Sequence, residues 1–268
     1  MMSAIDIRFC EELLRRVGTG LYENLKKEYR STTVEDLFQQ FEESNRWSTF
    51  EIKEALAKKY PHILWSDLEF AINRQNCAEF QGEYWVCDAI DGAVQFLQGI
   101  YSFAITLCLI RNNQPVLSFV YDPSHQEFFH AIANEGAYLN GKRIGVAQKQ
   151  KLQDSIIATT PPSYAKKDEE VTALTFKGFN QMTPKVFAVR MLGSVSLQLA
   201  YVASGRLDGY YEFGYDFYNW IAGALLVQEA RGVVTDSRGK NFTWGTFGII
   251  AANNNVQQKM QNQLRMVL

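Results

Sequence analysis

The chain is poor in the residues that mark several common protein classes. Its four cysteines, Cys10, Cys77, Cys87 and Cys108, are scattered without a Cys-x-x-Cys pair. That distribution argues against a disulfide framework and against a zinc site, and suits buried thiols in a reducing cytoplasm. The three histidines, His62, His125 and His130, show no ligand spacing and read as structural or surface residues. No apolar run reaches membrane-spanning length; the longest, Ser102 to Ile110, is strand-sized. The opening Met-Met-Ser-Ala-Ile-Asp lacks the basic-then-apolar pattern of a secretory signal, so a cytoplasmic protein with no membrane partner is expected. A formal net charge of −2 gives no reason to expect direct nucleic-acid binding. The small basic stretch of Lys142, Arg143, Lys149 and Lys151 reads as a solvated loop, and no internal repeat is present.

What remains is a globular composition. With 268 residues, 47% of them hydrophobic, the chain can bury a sizeable core as one large domain or two intimate subdomains. Ile5, Phe9, Leu13, Leu14, Val17, Leu21 and Leu25 form a helical stripe over residues 5–28. A second helix is expected over 49–60, stopped by Pro61. Strand patterns follow at Ile63–Leu64, Tyr84–Cys87, Phe103–Ile110, Val116–Tyr121 and 127–133, with a Gly-Asn-Gly loop and short strand over 136–144. The polar stretch 147–154 is the candidate junction between subdomains 1–146 and 147–268. Beyond it, strands are expected at 155–159, 186–190, 207–213 and 247–252, and helices at 194–203, 220–230 and the C-terminus. An antiparallel first half and an alternating second half predict helices packed on sheets in several layers.

The informative segment is Tyr84-Trp-Val-Cys-Asp-Ala-Ile-Asp-Gly-Ala-Val-Gln-Phe96. An apolar run ends in two carboxylates, Asp88 and Asp91, followed by Gly92. It reads as a strand entering a tight turn. Two carboxylates there can hold a hard divalent cation such as Mg²⁺, which takes oxygen ligands. Gly92 lets the backbone approach a ligand, and the amides of a helix starting there would face an anion such as phosphate. Spacing alone more often marks a solvated turn than a metal site.

Asp88-Ala-Ile-Asp-Gly-Ala-Val-Gln-Phe96 resembles the Asp-Pro-Ile-Asp-Gly-Thr-x-Asn-Phe signature of the inositol monophosphatase superfamily. Four further segments resemble that family in order: Glu135-Gly-Ala-Tyr-Leu-Asn-Gly-Lys-Arg-Ile144, Arg190-Met-Leu-Gly-Ser194, Val202 to Glu212, and Ile221 to Gly232. The resemblance implies an α/β (α+β) fold, a layered α-β-α-β-α sandwich. It implies Mg²⁺-dependent hydrolysis of small phosphomonoesters, with two or three ions, and a homodimer. Carried over by position, Asp67, Asp88 and Asp91 are the catalytic acids, and Asp67, Asp88, the Ile90 carbonyl, Asp91 and Asn219 are the metal ligands. Gly92 and Ala93 cradle phosphate, and Gly193, Ser194, Val195 and Glu212 line the substrate pocket.

The departures fall on the chemistry. The family's metal-binding Glu pair is replaced here by Ser66-Asp67-Leu68, with Glu69 as a fallback ligand. The Thr that activates water becomes Ala93, and its upstream Asp partner, just before the second helix, aligns with Asn45. The Trp-Asp pair aligns with Tyr218-Asn219, and Asp216 is the acid that could substitute. Removing a general base forfeits roughly 10²–10⁴-fold in rate. Two expectations follow: a small-phosphomonoester hydrolase with an altered, weakened site, or a catalytically inactive relative acting as a binding or regulatory protein.

Overall fold

A computed structural model describes residues 5–25 and 33–268. The apolar stripe of the first helix does what its spacing predicts. α1 (Ile7–Leu25) buries Cys10, Leu13, Leu14, Val17, Leu21 and Leu25 along one face. The expected continuation to residue 28 lies outside the described residues. α2 (Val34–Lys59) is longer than expected and is well terminated. The Thr33 side chain caps it by accepting from the Asp36 amide, Glu35 and Asp36 lie in its first turn, and Lys58 and Lys59 in its last. Its early turns carry few apolar residues, and the buried face is only Asn45, Ser48, Ile52 and Leu56. That sparse stripe hid the helix start. Asn45, expected just ahead of the helix, lies inside it.

The next residues form one sheet: β1 (Leu64–Trp65), β2 (Glu83–Asp91), then, after the one-turn helix α3 (Ala93–Leu97), β3 (Ala104–Arg111), β4 (Gln114–Asp122), β5 (Glu127–Ile132), β6 (Gly136–Leu139) and β7 (Lys142–Arg143). The strands lie in sequence order, all antiparallel except the β1–β2 pair. β2 continues through Asp91, past the Cys87 at which its apolar run ends.

The second half supplies β8 (Ile156–Thr159), α4 (Glu169–Met182), β9 (Ala188–Arg190), α5 (Val195–Ala203), β10 (Gly209–Glu212), α6 (Phe217–Glu229), β11 (Val233–Thr235), β12 (Ile249–Ala252) and α7 (Asn254–Leu264). Its five strands order as β11-β12-β10-β8-β9, with β8 parallel to both neighbours and β12 antiparallel to both of its own. α4 has no apolar stripe in the sequence, because its buried face is Thr175, Gly178 and Met182.

Alternation along the strands sorts the core into layers. Trp85, Cys87, Ile105, Leu107 and Leu109 face α1 and α2. Tyr84, Val86, Cys108 and Ile110 point the other way, into a cluster with α5, α6 and the inner face of the second sheet. Ile157, Tyr211, Ile250 and Ala252 face outward onto α4 and α7. The result is an α-β-α-β-α sandwich in which α5 and α6 form the shared middle layer. α6 is apolar nearly all round, as a helix buried between two sheets must be. The end of β2, the end of β10 and the first turns of α5 and α6 supply the groups described next.

Candidate active site

The β2–β3 pairing is regular from Glu83 to Asp88 and then shifts register before Asp91 meets Ala104. Such a bulge re-aims side chains. Here Asp88 and Asp91 are both buried, at 6% and 4% exposure. Gly92 follows at φ +91°, in the left-handed region. A Cβ at that position would lie 2.9 Å from the Ser102 carbonyl oxygen and 3.2 Å from the Ser194 Cβ.

Asp91 is held by the start of α5. Its Oδ2 accepts from the Ser194 hydroxyl at 2.7 Å, from the Ser196 amide at 2.7 Å and from the Ser196 hydroxyl. Its Oδ1 accepts from the Val195 amide at 3.2 Å. Ser194 and Val195, expected to line the substrate pocket, thus direct these groups at Asp91. Ser196, which no sequence motif marks, is buried and contributes two donors. Burial still prevails over these donors and leaves the Asp91 carboxyl above its ordinary range.

Asp67 and Glu69 exchange the positions expected of them. Asp67 is exposed and ion-paired to Lys53 at 2.8 Å. Glu69 is half-buried and hydrogen-bonds both Asp88 and Asn45. The segment between β1 and β2 is irregular, with a turn at Glu69–Phe70, so strand alternation does not decide which acid turns inward. Gln75 fixes the segment. Its Nε2 donates to the Leu68 carbonyl at 2.8 Å and the Glu69 carbonyl at 3.1 Å, and its Oε1 accepts from the Tyr218 amide at 3.2 Å. One buried amide side chain therefore ties the Glu69 loop to the first turn of α6. A second tie pairs the Ser66 and Tyr218 hydroxyls at 2.6 Å, while Ser66 also engages Glu79.

At the start of α6, the Asn219 side-chain amide donates to Asp216 Oδ2 at 2.7 Å. Glu212, at the end of β10, is buried, and its Oε2 accepts from the Tyr210 hydroxyl at 2.7 Å and the Trp220 indole at 2.6 Å. Ala93 opens α3 and carries no hydroxyl. Gly193, at φ +102°, precedes the α5 cap.

The electrostatics of this group are unusual. Burial, then the charges of Asp216 and Asp91, push Glu69 up to about 7 against the donors that lower it. Burial and Asp91 push Asp216 up to about 7. Burial and Asp216 push Glu212 up to about 8, and burial with Glu69 and Asp91 holds Asp88 well above the carboxylate range. Among the described residues no lysine or arginine forms an ion pair with any of these acids. The contrast is Asp208, which is just as buried and is neutralised by Lys149 at 2.8 Å. Buried carboxylates without an internal cation must bind protons or an external cation.

The donor set fits a hard divalent cation: it is all oxygen, anionic and sheltered. The Asn45 Oδ1 oxygen is buried without a hydrogen-bond partner, beside Glu69, and an acceptor with no donor is compatible with the same occupant. Among the described residues, however, no three His, Cys, Asp or Glu side chains converge tightly enough to close a metal site by themselves.

The family model for the inositol monophosphatase family matches residues 3–266. The chain is 35% identical over 222 residues to the Nus factor SuhB of Haemophilus influenzae, spanning 82% of this chain and 80% of the relative. It is 33% identical over 184 residues to an inositol-1-monophosphatase of Mesorhizobium japonicum, spanning 69% and 68%. The crystal structure of the extragenic suppressor protein suhB of Bartonella henselae superposes with a TM-score of 0.80 at 26% identity, over 97% of this chain and 98% of that one. One relative is named for an enzyme activity and another as a Nus factor, so near-neutral charge is no ground for setting nucleic acid aside as a partner. The chain belongs to the inositol monophosphatase family.

Proposed function

We propose that the chain is a Mg²⁺-dependent hydrolase of small phosphomonoesters, such as inositol, sugar or nucleotide phosphates, with a weakened catalytic apparatus. The observation that carries this is the set of buried Asp88 and Asp91 and half-buried Glu69 and Asp216, with which no lysine or arginine pairs among the described residues. Asp88, Asp91, the Ile90 carbonyl and Glu69 would hold the metal. Mg²⁺ bound there would neutralise charge on the phosphate and on its leaving oxygen. The residues of the chain do the rest. Gly92, whose missing Cβ lets the turn pack against the Ser102 carbonyl, would present the backbone amides of Gly92 and Ala93 to phosphate oxygens. Glu212, buried at the end of β10 with its Oε2 held by the Tyr210 hydroxyl and the Trp220 indole, would hydrogen-bond a substrate hydroxyl. Asn45 and Ala93 offer neither a carboxylate nor a hydroxyl to take a proton from water, which makes turnover slow. Homodimer formation and a cytoplasmic location belong to the same proposal.

Phosphate release from a panel of sugar, inositol and nucleotide phosphates in Mg²⁺ tests it. Release above the Asp88→Ala/Asp91→Ala double variant is expected; release equal to that variant overturns the assignment.

A second function, a regulatory protein that binds without turning over, is favoured by the joint loss of acid and hydroxyl at Asn45 and Ala93. It accords with the name Nus factor carried by one relative. The Asn45→Asp/Ala93→Thr variant separates the two. A gain in release on the order of 10²–10⁴-fold points to the regulatory function. Unchanged or lower release points to a specialised phosphatase.

A further inference from the structure

The geometry points to Asp216 as a cation ligand on the α6 side of the cluster, with Asn219 as the residue that positions it. This rests on the divalent-cation site proposed above and adds a ligand that none of the matched motifs contains.

Asp216 stands immediately before α6 as its N-cap residue, at φ −146° and ψ 59°, and its side chain is half-buried. The Asn219 amide, one turn into the helix, grips Oδ2 at 2.7 Å. The amide is a neutral donor, so it orients the carboxylate without cancelling its charge. A lysine or arginine would have cancelled it, and none pairs with Asp216 among the described residues. The neighbours that face Asp216 are themselves acids: Asp88 and Asp91 from β2, Glu212 from β10 and Glu69 from the loop fixed by Gln75.

An independent observation comes from the opposite wall. Asn45 of α2 is 8% exposed, its side chain hydrogen-bonds Glu69, and its Oδ1 oxygen has no donor. A buried acceptor left unpaired beside other acceptors is costly unless something electropositive enters. A divalent cation with its waters satisfies both walls: carboxylates ligate it directly, and an amide oxygen accepts from a bound water. Asn219 then acts as an outer partner that orients a ligating carboxylate, a role whose loss typically weakens metal binding 10–100-fold.

Calorimetric titration with Mn²⁺ tests the assignment without reference to turnover. Asp216→Asn should bind Mn²⁺ at least about tenfold more weakly than wild type, and Asn219→Ala should weaken it by roughly tenfold as well. Because Asp216→Asn removes an unbalanced charge, the metal-free variant should melt at or above the wild-type temperature, and its melting temperature should rise less on adding Mn²⁺. Asp216→Asn titrating like wild type, while Asp88→Asn loses binding, overturns the role of Asp216 alone. Wild type binding no Mn²⁺ overturns it together with the phosphatase function.

Discussion

Lys53 Nζ lies 2.8 Å from one carboxylate oxygen of Asp67 and 3.0 Å from the other. The pair is largely solvated and holds Asp67 outside the acidic cluster, two residues from the Glu69 that enters it. Asp67→Asn should therefore change stability by no more than about 0.5 kcal/mol, as for other exposed ion pairs. It should leave Mg²⁺ binding as in wild type, whereas Glu69→Gln should weaken it at least about tenfold. Calorimetric titration of the two variants decides; the opposite ranking would return the ligand role to Asp67.

Gln75 is the joint between the Glu69 loop and α6. Gln75→Leu keeps the bulk but strands the buried Tyr218 amide and two carbonyls. A loss of about 2–3 kcal/mol is expected from urea unfolding, with weaker Mg²⁺ binding because Glu69 and Asp216 lose their common anchor. Wild-type cation affinity in this variant would show that the two elements are positioned independently.

The acids also set a pH dependence. Glu69 rises from 4.5 to about 7, Asp216 from 3.8 to about 7 and Glu212 from 4.5 to about 8. Between these limits the folded chain holds more protons than the unfolded one, so unfolding free energy falls as pH rises. In chelator, the melting temperature should decline from about pH 4.5 to about pH 8. Added Mg²⁺ should flatten the decline, since a bound cation replaces the protons. A melting temperature that rises across this window in chelator would contradict the charge arrangement.

Two glycines near the site should differ in their tolerance. At Gly92 a Cβ meets the Ser102 carbonyl oxygen at 2.9 Å and the Phe103 Cα at 3.3 Å, both backbone. At Gly193 it meets only the Gln95 side chain, which can swing away. Both hold φ near +100°, a strain of about 1–3 kcal/mol for alanine. Gly92→Ala should cost more than Gly193→Ala in thermal unfolding, and equal costs would mean that the α3 turn yields as readily as a side chain.

The sheets and the middle layer were legible because their residues obey simple periods. β3 alternates faces, and the apolar α6 pattern announces a fully buried helix. The Asp-x-x-Asp-Gly turn was legible as a motif and, through four ordered partners, as a family. The inward acid was not. Asp67 and Glu69 are both plausible by type, and the choice depends on a long-range tie through Gln75 that no local pattern encodes. The first turns of α2 bury so little that no apolar stripe marks Asn45 as helical. Ser196 gave no signal at all, since a serine in a helix start reads as ordinary capping chemistry until Asp91 is seen against it.

The middle layer has a consequence for dynamics. Ten of the thirteen α6 residues are buried, and the site takes its acids from strands and loops on both sides of that helix. The pocket therefore cannot loosen as a local flap does. Moving the start of α6 away from the end of β2 means disturbing the layer that both sheets pack against, an event close to global unfolding. Amide exchange along α5 and α6 should then track the whole molecule, and a cation that seals the pocket should slow exchange at distant strands as much as at its own ligands.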